Sequence, residues 1–451
     1  MTLENNNFKV GKVACWVALA CLVVPMFASY FFDDMFSTVS HLFQTPDSLA
    51  LGWDSRDLGN FIGDYSLLCI CGGLIIGGIL LDIFGIRIMG SVFVGMMVGG
   101  AALAYYGVAG GLPKESAVAI GRIGRMIFGL GSEIAGVAVT RSIAKWFKNG
   151  RMSLAMGLQL AIARAGTGIA LIAAPFIVGI PRDYYSLADT ARPALVGLAL
   201  LLVGGLVWAL FVSMDRRYDR EAGITYKRGE VAAENAFSFK DILSLLKNSR
   251  FVMIGLLCVT FYCCVSSFKK FGTAVVIPRF GIEASAAGTM VAMIPFFTIL
   301  FTPLFGALVD KVGHAARWMV GGSFSVLAGH IIIAFAPLGV GFFGYLGIAL
   351  LGIGYSMVPS AMWPSVPRIV PEKSLGTAYS LIYWIQNVGL FFVPKAVGRI
   401  FASNEDTLAS VARVEWIFLI LGVCAVILSF LLLRKFRTVQ PNLQPGQVSG
   451  S

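Results

Sequence analysis

Charge is scarce in this 451-residue chain. Asp, Glu, Lys and Arg make up 13% of it, hydrophobic residues make up 57%, and the mean hydropathy is +0.81. A soluble globule carries roughly 25% charged residues, so that class is excluded. Histidine is rarer still, with 3 in the whole sequence, and the 8 cysteines (Cys15, Cys21, Cys69, Cys71, Cys258, Cys263, Cys264 and Cys424) all fall inside apolar runs. Neither type has a second ligand pair at zinc-like spacing, so no metal site is expected and the cysteines serve as small hydrophobes rather than a disulfide frame. The glycine-rich run Gly72 to Gly78 lacks the lysine of a phosphate loop, and no nucleophile motif stands at an aqueous boundary. An enzyme, a catalytic residue and a cofactor are therefore not expected. No Asn-x-Ser/Thr acceptor occurs, which favours a bacterial inner membrane over a glycosylated organelle. The first apolar run ends in Asp33 and Asp34 instead of a small-residue cleavage site, so it reads as a retained helix.

What the chain has in abundance is apolar runs of about eighteen residues or more, each long enough to cross a hydrocarbon core of roughly 30 Å as a helix. Twelve can be placed, the first near 12–32, the sixth near 192–214 and the twelfth near 412–434. The expected fold is an all-α polytopic membrane protein. Six spans in 1–214 and six in 250–437 flank a polar linker over 215–249, and 438–451 forms a tail. The net charge of +11 comes from Lys and Arg concentrated on one side of the spans. That bias marks the cytoplasmic face and puts both termini there, and it removes the reason to invoke nucleic acid.

A repeat supports the division into halves. Gly78-x-x-x-Asp82-x-x-Gly85 follows the second span and Gly306-x-x-x-Asp310-x-x-Gly313 follows the eighth. Glycine permits a tight turn or close helix approach, and an acid at a helix end can pair with a basic neighbour in one conformation only. Asp82, Arg87 and Asp310 are therefore candidate gate residues. The duplicated loop motif, together with Arg125-x-x-x-Gly129-x-Gly131 in the fourth span, resembles the major facilitator superfamily. The resemblance implies transport by alternating access, and it suggests a gating or packing role for Arg125. Arg122 and Arg125 also fit snorkelling side chains.

Further stretches resemble the dipeptide-uniporter branch of that superfamily. They are Phe27-Ala-Ser-Tyr-Phe-Phe-Asp33, Phe84-Gly-Ile-Arg87, Arg125 through Glu133, Gly157 through Arg164, Gly354-Tyr-Ser-Met, Trp363-Pro364, Gly376-Thr-Ala-Tyr379 and Gln386-Asn387-Val-Gly389. The resemblance implies facilitated diffusion of dipeptides, with Glu133 contacting the amino end and Arg164 the carboxyl end. Animal members pair with a glycosylated accessory subunit; without sorting signals or glycosylation acceptors here, none is expected, and the chain reads as a monomer whose partners are a small-molecule substrate and the bilayer.

The residues point the same way by themselves. An ionisable side chain near mid-bilayer costs about 2.5–3.5 kcal/mol, so Glu133 and Arg164 are functional candidates by default. Counting from Arg141 and Arg151 puts them roughly 12 and 20 Å above the cytoplasmic surface, an offset of about 8 Å. The ends of a dipeptide lie roughly 5–7 Å apart. Two other readings stand beside this one: an internal Glu133–Arg164 ion pair, and a proton taken up by Glu133 in a proton-coupled symporter of a small organic anion. Lys269 and Lys270 are adjacent on one helix, so at most one is expected to face the cavity. Lys269 is kept as a candidate ligand, with Tyr383 and Asn387 from the second half. Asp33 and Asp64 stand near outer helix ends, where acids are usually solvated, and His330 reads as a satisfied packing histidine.

Overall fold

A computed structural model describes the chain except residues 1–11, 45–51, 148–151, 182–184, 222–238, 372–374, 404–405 and 438–451. The described residues are overwhelmingly helical and contain no strand. The helices are α1 Lys12–Asp34, α2 Ser55–Asp64, α3 Leu74–Ala109, α4 Lys114–Trp146, α5 Met152–Val178, α6 Leu187–Glu221, α7 Phe239–Lys247, α8 Ser249–Tyr262, α9 Phe268–Phe280, α10 Ala284–Val312, α11 Ala315–Phe335, α12 Gly341–Met362, α13 Leu375–Ser403 and α14 Thr407–Arg437. Eleven stretches are long and apolar enough to cross a membrane. The 29-residue α13 is the twelfth by length, but Gln386, Asn387 and Lys395 lower its hydropathy.

Span and helix boundaries differ where the backbone uses glycine or a wide turn. The second and third spans run as one helical ribbon interrupted at Gly72, with φ of 100°, and at Gly85, whose φ of 80° is in the left-handed region. Gly313, its counterpart in the second motif copy, has φ 70° and ends α10. The terminal glycine of each motif is thus a turn former, as its lack of Cβ permits. Two π-helical turns, Cys69–Gly73 and Cys263–Ser267, join α2 to α3 and α8 to α9, so the second and seventh spans each carry a bulge at mid-length, a place where function often sits. A 3-10 turn, Met35–Gln44, extends α1.

The expected linker start at 215 is corrected: α6 continues to Glu221. Asp215 and Asp219, one turn apart on α6, are both buried and form ion pairs with Lys145 of α4 at 2.7 Å each. Trp146 Nε1 donates to Asp215 at 2.8 Å. Two acids spaced i, i+4 share a helical face, and that pairing keeps the helix going beyond the apolar run.

The bundle has two ends: one carries Lys12 and Arg437, and the other, here the far end, carries the α1–α2, α3–α4 and α9–α10 connections. Within the first six spans α3 packs on α4 and α1 on α5 and α6; within the last six, α11 packs on α12 and α14. The two sets meet through α2 with α13, α5 with α10, and the extension of α1 with α9. These seams tighten towards the far end. A Cβ on Gly59 would lie 2.7 Å from the Pro394 carbonyl oxygen, and one on Gly288 2.2 Å from that of Leu171. Backbones that close leave no room for a solvated passage between α2 and α13 at that level.

Candidate transport site

Glu133 on α4 and Arg164 on α5 are both half-buried. The sequence estimate of their depths is corrected by the helix ends. α4 runs on past Arg141 to Trp146 and α5 begins at Met152, so the two residues stand about 20 and 18 Å along their helices from those ends. They are not joined to each other within ion-pair distance among the described residues. Glu133 Oε1 accepts from the Tyr65 hydroxyl at 3.0 Å. Arg164 donates to the Thr302 hydroxyl at 2.9 Å and to the Thr298 carbonyl at 3.4 Å, both on α10 across the seam. Each charge therefore rests on neutral oxygen partners. Tyr30 of α1 is within Coulombic reach of both Glu133 and Arg164, and of Tyr355 opposite.

The last six spans supply the facing wall. Tyr383 is 41% exposed, yet it is within Coulombic reach of Glu133 and Tyr30. Its ring stacks on Trp363 with centroids 5.0 Å apart. Trp363 Nε1 donates to the Tyr262 hydroxyl at 3.1 Å, and the Tyr355 and Ser266 hydroxyls bond at 2.9 Å. Asn387 is placed differently: it is 1% exposed and its amide donates to the Tyr383 carbonyl one turn away, with Oδ1 unpartnered among the described residues.

Above this space, towards the far end, charges cross the seam in two clusters. In the first, Lys269 Nζ lies 2.7 Å from Asp34 Oδ2, and Lys270 Nζ lies 2.6 Å from Asp34 Oδ1 and 2.7 Å from Asp33 Oδ2. Thr167 of α5 adds a hydrogen bond to Asp34 at 2.5 Å. Arg125 pairs with Asp33; it is 1% exposed and its guanidinium lies 5.1–5.5 Å from the ring centroids of Phe61, Tyr65 and Phe128. In the second cluster, Asp64 accepts from Lys395 of α13 and Arg122 of α4, each at 2.5 Å. Buried ions tolerate such sites only when paired, since each costs several kcal/mol to desolvate.

Four expectations are corrected here. Lys269 and Lys270 both face inward, because the adjacent acids Asp33 and Asp34 offer two oxygens each to flexible ammonium stems. Lys269 is near Tyr355 at the edge of the space, but its ammonium is taken by Asp34. Arg122 and Arg125 are ion-paired and do not snorkel. Asp64 is 0% exposed and not solvated. At the opposite end, Arg87 pairs with Asp219 at 3.0 Å and Asp215 at 3.8 Å, both within the first six spans. Asp310 is exposed, and the side chain of Asp82 lies outside the described residues. Sequence reasoning missed Asp34, Tyr30, Thr302 and Lys395. The signal for the lysine and the acid was there: two acids ending one span and two lysines in another, and a lysine inside the eleventh span.

A model of the Major Facilitator Superfamily matches residues 20–394. The chain belongs to that superfamily. It is 30% identical to the lysosomal dipeptide transporter MFSD1 of Danio rerio over 372 residues, 80% of this chain and 75% of that one. The Homo sapiens protein of that name is 30% identical over 342 residues, 73% of this chain and 68% of its own. Among solved structures the fold is similar to a D-xylose-proton symporter, with TM-score 0.68, 15% identity, and 93% and 96% of the two chains covered. It is likewise similar to the POT family transporter PepTSo, with TM-score 0.69, 13% identity and coverages of 94% and 98%. At those identities the likeness shows the fold alone. As a member of the superfamily, the chain is a multi-pass membrane transporter and not an enzyme.

Proposed function

We propose that this transporter carries dipeptides, or short zwitterions like them, by facilitated diffusion through alternating access. The observation behind this reading is that an acid on α4 and a guanidinium on α5, Glu133 and Arg164, rest on hydroxyls instead of each other. A hydroxyl is a placeholder that a substrate's charged end can displace, because an ammonium on a carboxylate or a carboxylate on a guanidinium adds charge attraction that a hydroxyl does not supply. The ammonium replaces Tyr65 on Glu133, and the carboxylate takes Arg164 bidentately. The MFSD1 relatives are named as dipeptide transporters, which agrees with this reading.

In this reading residues 1–214 and 250–437 rock against each other, the far end faces away from the cytoplasm, and both termini are cytoplasmic, in a cell inner membrane. The state described has its far-end charges paired, so substrate exchanges with the terminal-side compartment. Arg87, Asp82 and Asp310 act at that other gate. The protein works as a monomer without an accessory subunit. Counterflow in proteoliposomes tests the proposal: unlabelled dipeptide trapped inside should drive uptake of labelled dipeptide without any ion gradient. Uptake that requires an imposed proton gradient would replace facilitated diffusion with proton coupling.

A further inference from the structure

The two sets of spans touch backbone to backbone where α2 begins and α13 ends, at the far end. A Cβ on Gly59 would lie 2.8 Å from the Gly398 Cα, and one on Gly398 would run into the Ser55 carbonyl oxygen. Beside that contact lies a cavity of about 450 Å³, open to solvent and lined by Arg56 and Asn60 of α2 and by Arg399, Ile400 and Ser403 of α13. Arg56 and Asn60 are four residues apart in sequence, as are Arg399 and Ser403, so each helix turns one face to the cavity. One guanidinium comes from each set of spans.

The acids of this end are engaged elsewhere. Asp54 and Asp57 pair with Lys114, whose ammonium is 3.1 Å from Asp57 Oδ2. Asp64 holds Lys395 and Arg122. Asp406 caps α14, accepting from the Leu408 N–H at 2.9 Å, and α13 contains neither Asp nor Glu. Among the described residues, Arg56 and Arg399 are in no ion pair. Like charges on the two sides of a closed seam repel and favour its parting. An anion between them reverses the sign of that interaction. The planar fork of arginine matches the oxygens of a phosphate bidentately, and the Asn60 amide adds a neutral donor. The Ser403 hydroxyl already donates to the Ile400 carbonyl at 3.0 Å, so the cations and the amide are the groups that would hold the anion. The volume exceeds what a single halide fills and admits a phosphate group with water.

We propose that Arg56, Asn60 and Arg399 form a phosphate-binding site at the far end, for free phosphate or for the phosphate of a lipid headgroup, and that its occupation holds the far end closed. The site needs residues from both sets of spans and comes apart when α2 and α13 separate. A ligand shifts a conformational equilibrium by its differential affinity for the two states, and this one binds the closed state alone. The anion is a regulator and not the cargo, so the proposal goes beyond the dipeptide reading and does not depend on it.

The test is thermal unfolding of the purified full-length protein, in detergent with inorganic phosphate replacing chloride at constant ionic strength, and in phosphatidylcholine nanodiscs with and without phosphatidylglycerol. The melting temperature of the wild type should rise saturably with one or both, as for any ligand of the folded state. A rise with inorganic phosphate alone assigns the site to the free anion, and a rise with phosphatidylglycerol alone assigns it to a headgroup. Arg56→Gln and Arg399→Gln change exposed side chains, so both variants should fold, and each should lose the rise. Arg434→Gln, at the other end of the bundle, should keep it. The same ligand should slow labelling of a cysteine introduced at Ser40 in the wild type and not in Arg399→Gln. No saturable rise with either ligand, or an equal rise in the two arginine variants, overturns the site. A rise without slower labelling overturns its part in closure. No peptide enters these measurements, so their failure leaves the dipeptide reading standing.

Discussion

The Tyr65 hydroxyl donates to Glu133 at 3.0 Å while the ring of the same residue lies 5.1 Å from the guanidinium of Arg125. One side chain thus touches both the candidate substrate acid and the far-end charge cluster. In the dipeptide reading, an ammonium at Glu133 would take the place of that hydroxyl and release the ring beneath Arg125.

Replacing Tyr65 by Phe removes the placeholder and keeps the ring. A hydrogen bond to a charged group contributes about 1.5–3 kcal/mol, so dipeptide affinity should rise by roughly tenfold or more in Tyr65→Phe. Tyr65→Leu also removes the ring beneath Arg125, and should lower the melting temperature where Tyr65→Phe does not. Titration calorimetry and thermal unfolding of the two variants separate the roles.

Asp64 serves two cations, one from each set of spans, whereas Lys395 serves one acid. Lys395→Met leaves Asp64 paired with Arg122, while Asp64→Asn leaves Lys395 and Arg122 facing each other in a buried site. Breaking a buried pair by removing one partner costs about 3–5 kcal/mol. Asp64→Asn should therefore destabilise by about that much and Lys395→Met by markedly less. Equal losses in thermal unfolding would show that the cluster does not share charge as its geometry indicates.

The acid pair at the end of α1 is also unequal. Asp33 keeps Arg125 within the first six spans, but both charged partners of Asp34 come from α9. Opening of the far end should therefore be controlled by Asp34 more than by Asp33. In a double-mutant cycle Asp34 and Lys269 should couple by about 1–3 kcal/mol in thermal unfolding. Transport by Asp34→Asn should shift towards a far-end-open state, read as faster labelling of a cysteine introduced at Ser40. Unchanged labelling would separate the cluster from gating.

His330 and Glu415 form a pair inside the last six spans, both 0% exposed, 2.9 Å apart and flanked by Phe268 and Phe418. The packing role expected of His330 acquires a specific partner. Glu415→Ala should lower stability by about 3–5 kcal/mol, with dipeptide affinity unchanged because the pair stands away from Glu133 and Arg164. A loss of affinity with stability intact would give this pair a place in transport.

The fold was readable because bilayer thickness converts directly into apolar run length, and the motif glycines Gly85 and Gly313 fall where a turn is forced. Glu133 and Arg164 were readable because a charge in an apolar helix is costly enough to need a reason. Their partners were not. Tyr65, Thr302 and Tyr30 are ordinary residues for a membrane helix, and only the packing of α2, α10 and α1 brings them to the site. Lys269 and Lys270 were misjudged because a single helix was considered alone. Asp33 and Asp34 come from another helix, and no periodicity in α9 reports their arrival. Likewise the end of α6 was set by Lys145 and Arg87, which the apolar pattern of α6 does not contain.

The two-ended grip is tested most directly by calorimetric titration of wild-type protein with Ala-Ala, N-acetyl-Ala-Ala and Ala-Ala-amide, repeated on Glu133→Gln and Arg164→Ala. Blocking either end should cost about 1.5–3 kcal/mol, roughly tenfold or more in affinity. Blocking the amino end should cost little further in Glu133→Gln, and blocking the carboxyl end little further in Arg164→Ala. Equal binding of the three ligands to wild-type protein would contradict the assignment of Glu133 and Arg164 to the two ends of the substrate.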